Sequence, residues 1–226
     1  MKITPKSQPD PVSNIKIHDG SFRWALQAAE EVAGKQGLVV TLKQAGLGHL
    51  IDNFPENVSQ VSGKYSLGEY GKFNVGLLNF FGRGGRSMLM RIGRISNKLG
   101  SEQLSAALGN AILTALRVLP EGARTKKGLE LVKFGMEKFF VYQGVQPLVM
   151  SVEERGDKVT FKLETCGCCC GFESDSPICY MWTGYFQEGL RGLFGKDREV
   201  EVREVECRAM GAPACVFEMS KLPVDS

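Results

Sequence analysis

Apolar residues recur at helical spacing over most of the first 140 positions and at alternate positions beyond them. Phe22, Ala25, Leu26, Ala29, Val32 and Ala33 predict a helix that Gly34 or Gly37 can end, and Leu38 to Ile51 predicts a second. Asn53 to Gly63 reads as a loop around Pro55. Residues 66–82, rich in Leu, Phe and Gly, read as a helix with flexible joints, and Met88, Ile92 and Ile95 mark another that carries Arg86, Arg91 and Arg94. The most regular helix is expected after Ser101, an N-cap candidate with Glu102 in the first turn. Its apolar positions run unbroken from Leu104 through Leu108, Ile112 and Leu116 to Leu119, where Pro120 stops it. Thr125 to Gln143 predicts one more, with Leu129, Val132, Met136, Phe139 and Phe140 on one side.

Past Pro147 the period changes to two. Leu148 to Glu154 and the alternating Val159, Phe161 and Leu163 predict a hairpin about Arg155-Gly156-Asp157. Pro177 to Leu193 returns to helical spacing through Trp182, Tyr185, Phe186 and Leu190. Glu199 to Arg208 and Cys215 to Met219 predict a second strand pair around Met210-Gly211-Ala212-Pro213. Helices gathered first and strands last point to an α+β fold, a helical N-terminal part packed on a small antiparallel sheet. The expected organisation is a Pro-rich, flexible tail over residues 1–20 and a single domain over 21–222.

Composition adds one unusual fact. The 226 residues are 43% hydrophobic and 23% charged, with a net charge of +3, too small to imply a nucleic-acid partner. No signal-peptide core and no 18-residue apolar run is present, so the expectation is a cytoplasmic protein without a membrane span. Seven cysteines are an odd number, so not all can pair within one chain, and four of them fall between Cys166 and Cys170. Clustered, reduced cysteines point to metal or redox chemistry.

Cys207 and Cys215 flank a tight turn, and a hairpin brings its strands about 5 Å apart, close enough for two thiolates to share an ion. Cys179, at the start of a predicted helix whose dipole favours a thiolate, and Glu204 or Glu206 are the candidates to complete four ligands. Side chains alternate along a strand, so Glu204 and Cys207 share a face only across a bulge or a strand end. The alternative is a pair of small buried residues in a hairpin.

Cys179-Tyr-Met-Trp182-Thr-Gly184-Tyr185, followed by Glu204, Cys207, Gly211, Cys215 and Phe217 in that order, resembles the 4-vinyl-reductase-type (hydrocarbon-binding) domain. That family includes the sensor domains of phenol-responsive activators and small proteins linked to bacteriochlorophyll synthesis, and is distantly similar to TRAPP trafficking subunits. The match covers residues 148–220. The resemblance implies structural zinc on Cys179, Glu204, Cys207 and Cys215, with Glu204 chosen over Glu206. It also implies an apolar pocket beside the metal for a hydrophobic, aromatic or tetrapyrrole-like ligand, and a homodimer. The histidine that contacts phenol in the phenol sensors has no aligned counterpart, since His18 and His49 are the chain's two histidines.

The run Cys166-Gly-Cys168-Cys169-Cys170 departs from that pattern. It reads as a second thiolate set for zinc or an iron–sulfur cluster, as a redox pair gating the zinc site, or as a loop of small buried residues that lends one ligand. Trp182, Tyr185, Phe186 and Phe139 are candidates to line the pocket, against the alternative of a packed core. Arg83 to Lys98 forms a basic stretch suited to an acidic group, or simply a solvated face. No catalytic motif is present. The expected function is a zinc-containing sensor or carrier of a small hydrophobic ligand, with no direct nucleic-acid contact. An accessory factor or reductase of tetrapyrrole metabolism and a dimeric scaffold are the alternatives.

Overall fold

The computed structural model describes residues 1–56, 62–108, 111–139, 149–195 and 197–223. Among these residues there are six α-helices: α1 (Asp19–Gln44), α2 (Leu67–Phe81), α3 (Gly85–Leu108), α4 (Ala111–Arg117), α5 (Glu121–Phe139) and α6 (Tyr180–Phe194). Strands β2 (Met150–Arg155), β3 (Lys158–Leu163), β5 (Val202–Glu206) and β6 (Cys215–Ser220) form an antiparallel sheet in the order β2-β3-β6-β5. Two short strands, β1 (Ile3–Pro5) and β4 (Phe172–Ser174), pair separately. The fold is α+β, as the segregated pattern predicts.

The period-two alternation sets the inner face of the sheet. Val159, Phe161 and Leu163 of β3 lie opposite Met219, Phe217 and Cys215 of β6, all six buried. Phe186 of α6 sits on that face, its ring 4.9 Å from Phe161 and 5.3 Å from Phe217, centroid to centroid. α6 is thus covered by the sheet on one side and by α3 on the other, and α1 packs behind α3. Phe22, Phe73, Leu26, Leu42, Leu77 and Leu89 fill the helical part of the core.

Three sequence expectations change. The two helices expected before residue 51 are one element, α1, kinked where Gly34 takes φ 73°, ψ 162°, a conformation glycine adopts without steric cost. No helix starts at Ser101. α3 runs through it, and the Ser101 hydroxyl donates to Asn97 Oδ1 at 3.2 Å one turn back instead of capping. The N-terminal segment places β1 against β4 and buries Asp10, Ile15 and Ile17, so its prolines punctuate an extended path over the core. The helix predicted over 66–82 starts at a capping box, with Ser66 Oγ accepting from Glu69 N and Glu69 Oε2 accepting from Ser66 N. Phe140, Tyr142, Gln143 and Leu148 lie outside the described residues. The basic stretch ties α3 to α6: Arg94 donates to Gln187 at 3.0 Å, Lys98 pairs with Glu188, and Arg86 stands over the Tyr180 ring.

Candidate metal centre and adjoining cavity

Cys179 is the N-cap of α6, Cys215 opens β6, and Cys207 closes the strand that carries Glu204. The pairing of β5 with β6 slips between Glu204 and Glu206, so Val205 bulges out and is half exposed. That bulge turns Glu204 to the same side as Cys207, and Glu206 points to solvent. The ligand atoms of Cys179, Glu204, Cys207 and Cys215 lie within 4.8 Å of one another. Cys179 N donates to Glu204 Oε2 at 2.9 Å, while Oε1 is buried and without a hydrogen-bond partner among the described residues. Burial pushes the Glu204 carboxyl up to about 7. A buried carboxylate oxygen with nothing to accept, aimed among thiols, is what a cation would satisfy. Three thiols and one carboxylate are a donor set suited to zinc.

The Cys166–Cys170 run divides. Cys166 and Cys169 turn inward: Cys166 Sγ is 3.6 Å from Cys179 Sγ, and Cys169 Sγ is 3.4 Å from Cys215 Sγ. They make a second set of four with Cys179 and Cys215, again within 4.8 Å. Cys168 and Cys170 belong to neither set, though both are fully buried, and burial pushes the Cys170 thiol up to about 12. The Cys166-x-x-Cys169 spacing is a common metal-binding signature and the feature of the sequence that could have singled out these two. Hydrogen bonds from Cys166, Cys179, Cys207 and Cys215 draw the Cys169 thiol well below its ordinary range. Burial drives Cys179 the other way, against the pull of the α6 N-terminus.

A buried ion pair holds this loop. Arg208, the residue after Cys207, donates to Asp10 Oδ1 at 2.7 Å and to the Cys166 carbonyl, and its own N–H reaches Cys215 Sγ. Asp10 also accepts from Lys6 and from Gly171 N. Burial alone would raise the Asp10 carboxyl, but these donors hold it at about 2. Nothing in the spacing of the sequence links residue 10 to residue 208.

Against the thiol cluster lies a cavity of about 90 Å³ between the starts of α1 and α2, the middle of α3 and the first turns of α6. Trp182 and Tyr185 line it, as expected. Phe186 packs on the sheet instead, and the Phe139 side chain is outside the described residues. His18, Trp24, Tyr70 and Met136 complete the wall and carry no signal in the sequence pattern. His18 Nδ1 accepts from Ser21 N and so caps α1 at the cavity's edge, and burial lowers this imidazole to about 4. His49 stands elsewhere, on the surface beside Glu69. The walls are mostly apolar. The indole N–H of Trp182 is buried and has no acceptor among the described residues. Thr165 and Gly167, which flank Cys166, form the wall shared with the thiols.

Known proteins share parts of this picture. Residues 159–221 match the model of the 4-vinyl-reductase domain family, and that part of the chain is a domain of this family. A 70-residue segment is 31% identical to an uncharacterized protein of Methanocaldococcus jannaschii, over 31% of each protein, so the match spans about a third of that relative. In structure the chain is similar to an H-NOX protein from S. oneidensis solved in the Fe(II)NO ligation state, with 10% identity, 90% of this chain and 99% of that one covered, and a TM-score of 0.51. It is also similar to the phenol-responsive sensory domain of the transcription activator PoxR, solved with phenol, at 19% identity over 71% of this chain and 77% of that one, with a TM-score of 0.44. At these identities the H-NOX likeness is one of fold. Among the described residues no helix is long and apolar enough to cross a membrane.

Proposed function

We propose that this protein binds a small aromatic ligand in the cavity beside a structural zinc site, as a sensor or carrier. The observation that carries the reading is the adjacency of the two features: Thr165, Gly167, Met181 and Trp182 line the cavity and are chain neighbours of Cys166 and Cys179. Zinc on Cys179, Glu204, Cys207 and Cys215 would have all four positions filled by protein, which leaves no site for an activated water and favours a structural role. Its contribution is to fix the start of α6 to the sheet, and with it the cavity wall.

Size selects the ligand. About 90 Å³ is the scale of one ring, since an engineered apolar cavity of about 150 Å³ binds benzene. A tetrapyrrole is excluded on the same ground, which also counts against the reductase reading. The haem named for structurally similar proteins does not fit: the space is too small, and His18 already caps α1 through Nδ1. The Trp182 N–H favours a ring that carries an oxygen acceptor, because a ligand oxygen there would remove the penalty of an unpaired buried donor. A carrier or sensor of such a compound would pass its output through the surface of α1 or α6, and dimerisation belongs to the same proposal.

Thermal melting with phenol, benzene and a vinyl tetrapyrrole tests this reading. At one hundred times the dissociation constant a bound ligand stabilises by about 2.7 kcal/mol, which is readily measured as a shift in Tm. A shift with phenol and none with the tetrapyrrole is expected. No shift with any single-ring compound would contradict the cavity reading, and reductant-dependent turnover of the tetrapyrrole would favour the enzyme.

A further inference from the structure

The two sets of four ligands are not separate. They share Cys179 and Cys215, so the cluster offers six donors in all: Cys166, Cys169, Cys179, Glu204, Cys207 and Cys215. We propose that it is a dinuclear site, with one divalent ion held by Cys166 and Cys169, a second by Glu204 and Cys207, and the Cys179 and Cys215 thiolates bridging both. The proposal rests on the zinc reading above and extends it from one ion to two.

Donor arithmetic supports the sharing. Two four-coordinate ions need eight bonds, and four terminal donors plus two that each bind twice supply eight. Geometry supports it as well. A zinc–sulfur bond of about 2.3 Å at a tetrahedral angle puts two sulfurs on one ion about 3.8 Å apart. The Sγ pairs Cys166–Cys179, Cys179–Cys215 and Cys179–Cys207 stand at 3.6, 3.7 and 3.9 Å, and Cys169–Cys215 at 3.4 Å. The terminal thiols thus lie at tetrahedral-edge distances from a shared sulfur, and the shared sulfurs lie at that distance from each other.

The loop is shaped for this. One ion on the hairpin set needs neither Cys166 nor Cys169. Yet the turn from Cys166 to Gly171, with Gly171 at φ 82°, brings both onto the shared pair and leaves Cys168 and Cys170 outside. Cys170 N donates to the Gly167 carbonyl and Phe172 N to that of Cys169, which fixes the turn independently of any ion. Five thiolates and one carboxylate carry six negative charges against four positive ones from two zinc ions. The buried Arg208, whose guanidinium donates to the Cys166 carbonyl and whose N–H donates to Cys215 Sγ, meets part of the remainder.

Full-chain protein purified with reductant and equilibrated with zinc, followed by native mass spectrometry and zinc X-ray absorption, tests the pair. Two zinc ions per chain and a zinc–zinc scattering feature are expected. The Cys166→Ser/Cys169→Ser double variant should hold one ion and lose that feature, and Cys168→Ser/Cys170→Ser should keep two. Should the first variant fail to fold, the wild-type stoichiometry and scattering decide by themselves. One zinc per chain with no zinc–zinc feature overturns the pair and leaves the single-ion reading standing. No zinc, or iron with sulfide, overturns both.

Discussion

Gly93 of α3 and Gly184 of α6 each face the other helix's backbone: a Cβ on Gly93 would lie 2.0 Å from the Met181 carbonyl oxygen, and one on Gly184 2.0 Å from that of Met90. This reciprocal approach lets α6 lie close between α3 and the sheet, which sets Trp182 and Tyr185 on the cavity and Cys179 over the β6 thiol. Gly184→Ala must separate the helices, so it should destabilise the protein by about 1–3 kcal/mol, the cost of overpacking. Gly192→Ala, on the same helix with no atom within 4 Å, should be neutral or stabilising. Urea unfolding of the two variants checks the contrast, and equal losses would contradict it.

Asp10 is expected to act as the clamp on the cysteine loop. Asp10→Asn leaves the buried Arg208 without its counter-charge, a change that costs about 3–5 kcal/mol in such pairs. The pH sign follows from a folded carboxyl at about 2 against 3.8 unperturbed. Above about pH 4 the unfolded state is ionised as well and the full stabilisation is present. It is lost as pH falls from 4 through 2. Stability measured against pH should show that acid-side loss in the wild type and a flatter curve in the variant.

His18 gives a second pH signature at a different window. Its folded value of about 4 lies below 6.5, so between these the unfolded state binds the extra proton and stability rises with pH. The contribution is complete above about 6.5 and disappears as pH falls to 4, a difference on the order of 3 kcal/mol. His18→Asn keeps an N-cap acceptor but cannot titrate. The variant should lose this dependence with α1 intact by circular dichroism, and an unchanged slope would contradict the assignment.

Trp182→Phe removes the unpartnered indole N–H and leaves an aromatic wall. Affinity for phenol should fall several-fold, consistent with about 1 kcal/mol for a neutral hydrogen bond, while affinity for benzene stays nearly constant. Calorimetry with both ligands separates the two outcomes.

The legibility of this chain follows from which interactions are local. Alternation at Val159, Phe161 and Leu163 and the turn at Gly156-Asp157 carry the hairpin, and both are encoded within a few residues. No helix begins at Ser101 because the packing of α3 on α1 and α6 overrides a local capping preference. Cys179, Glu204, Cys207 and Cys215 are readable from order and spacing, but the bulge at Val205 that unites them is a property of strand pairing. Cys166 and Cys169 join the set through a loop held by Asp10, and His18 reaches the cavity through the N-terminal segment. Both depend on contacts far apart in sequence, which periodicity does not carry.

The central claim is that the buried thiols hold metal, and the metal content of freshly purified, reduced protein tests it most directly. Zinc bound stoichiometrically, lost in Cys207→Ser together with a drop in Tm, is the expected result. Wild-type protein that is fully folded, reduced and free of zinc after equilibration with the ion would contradict the account.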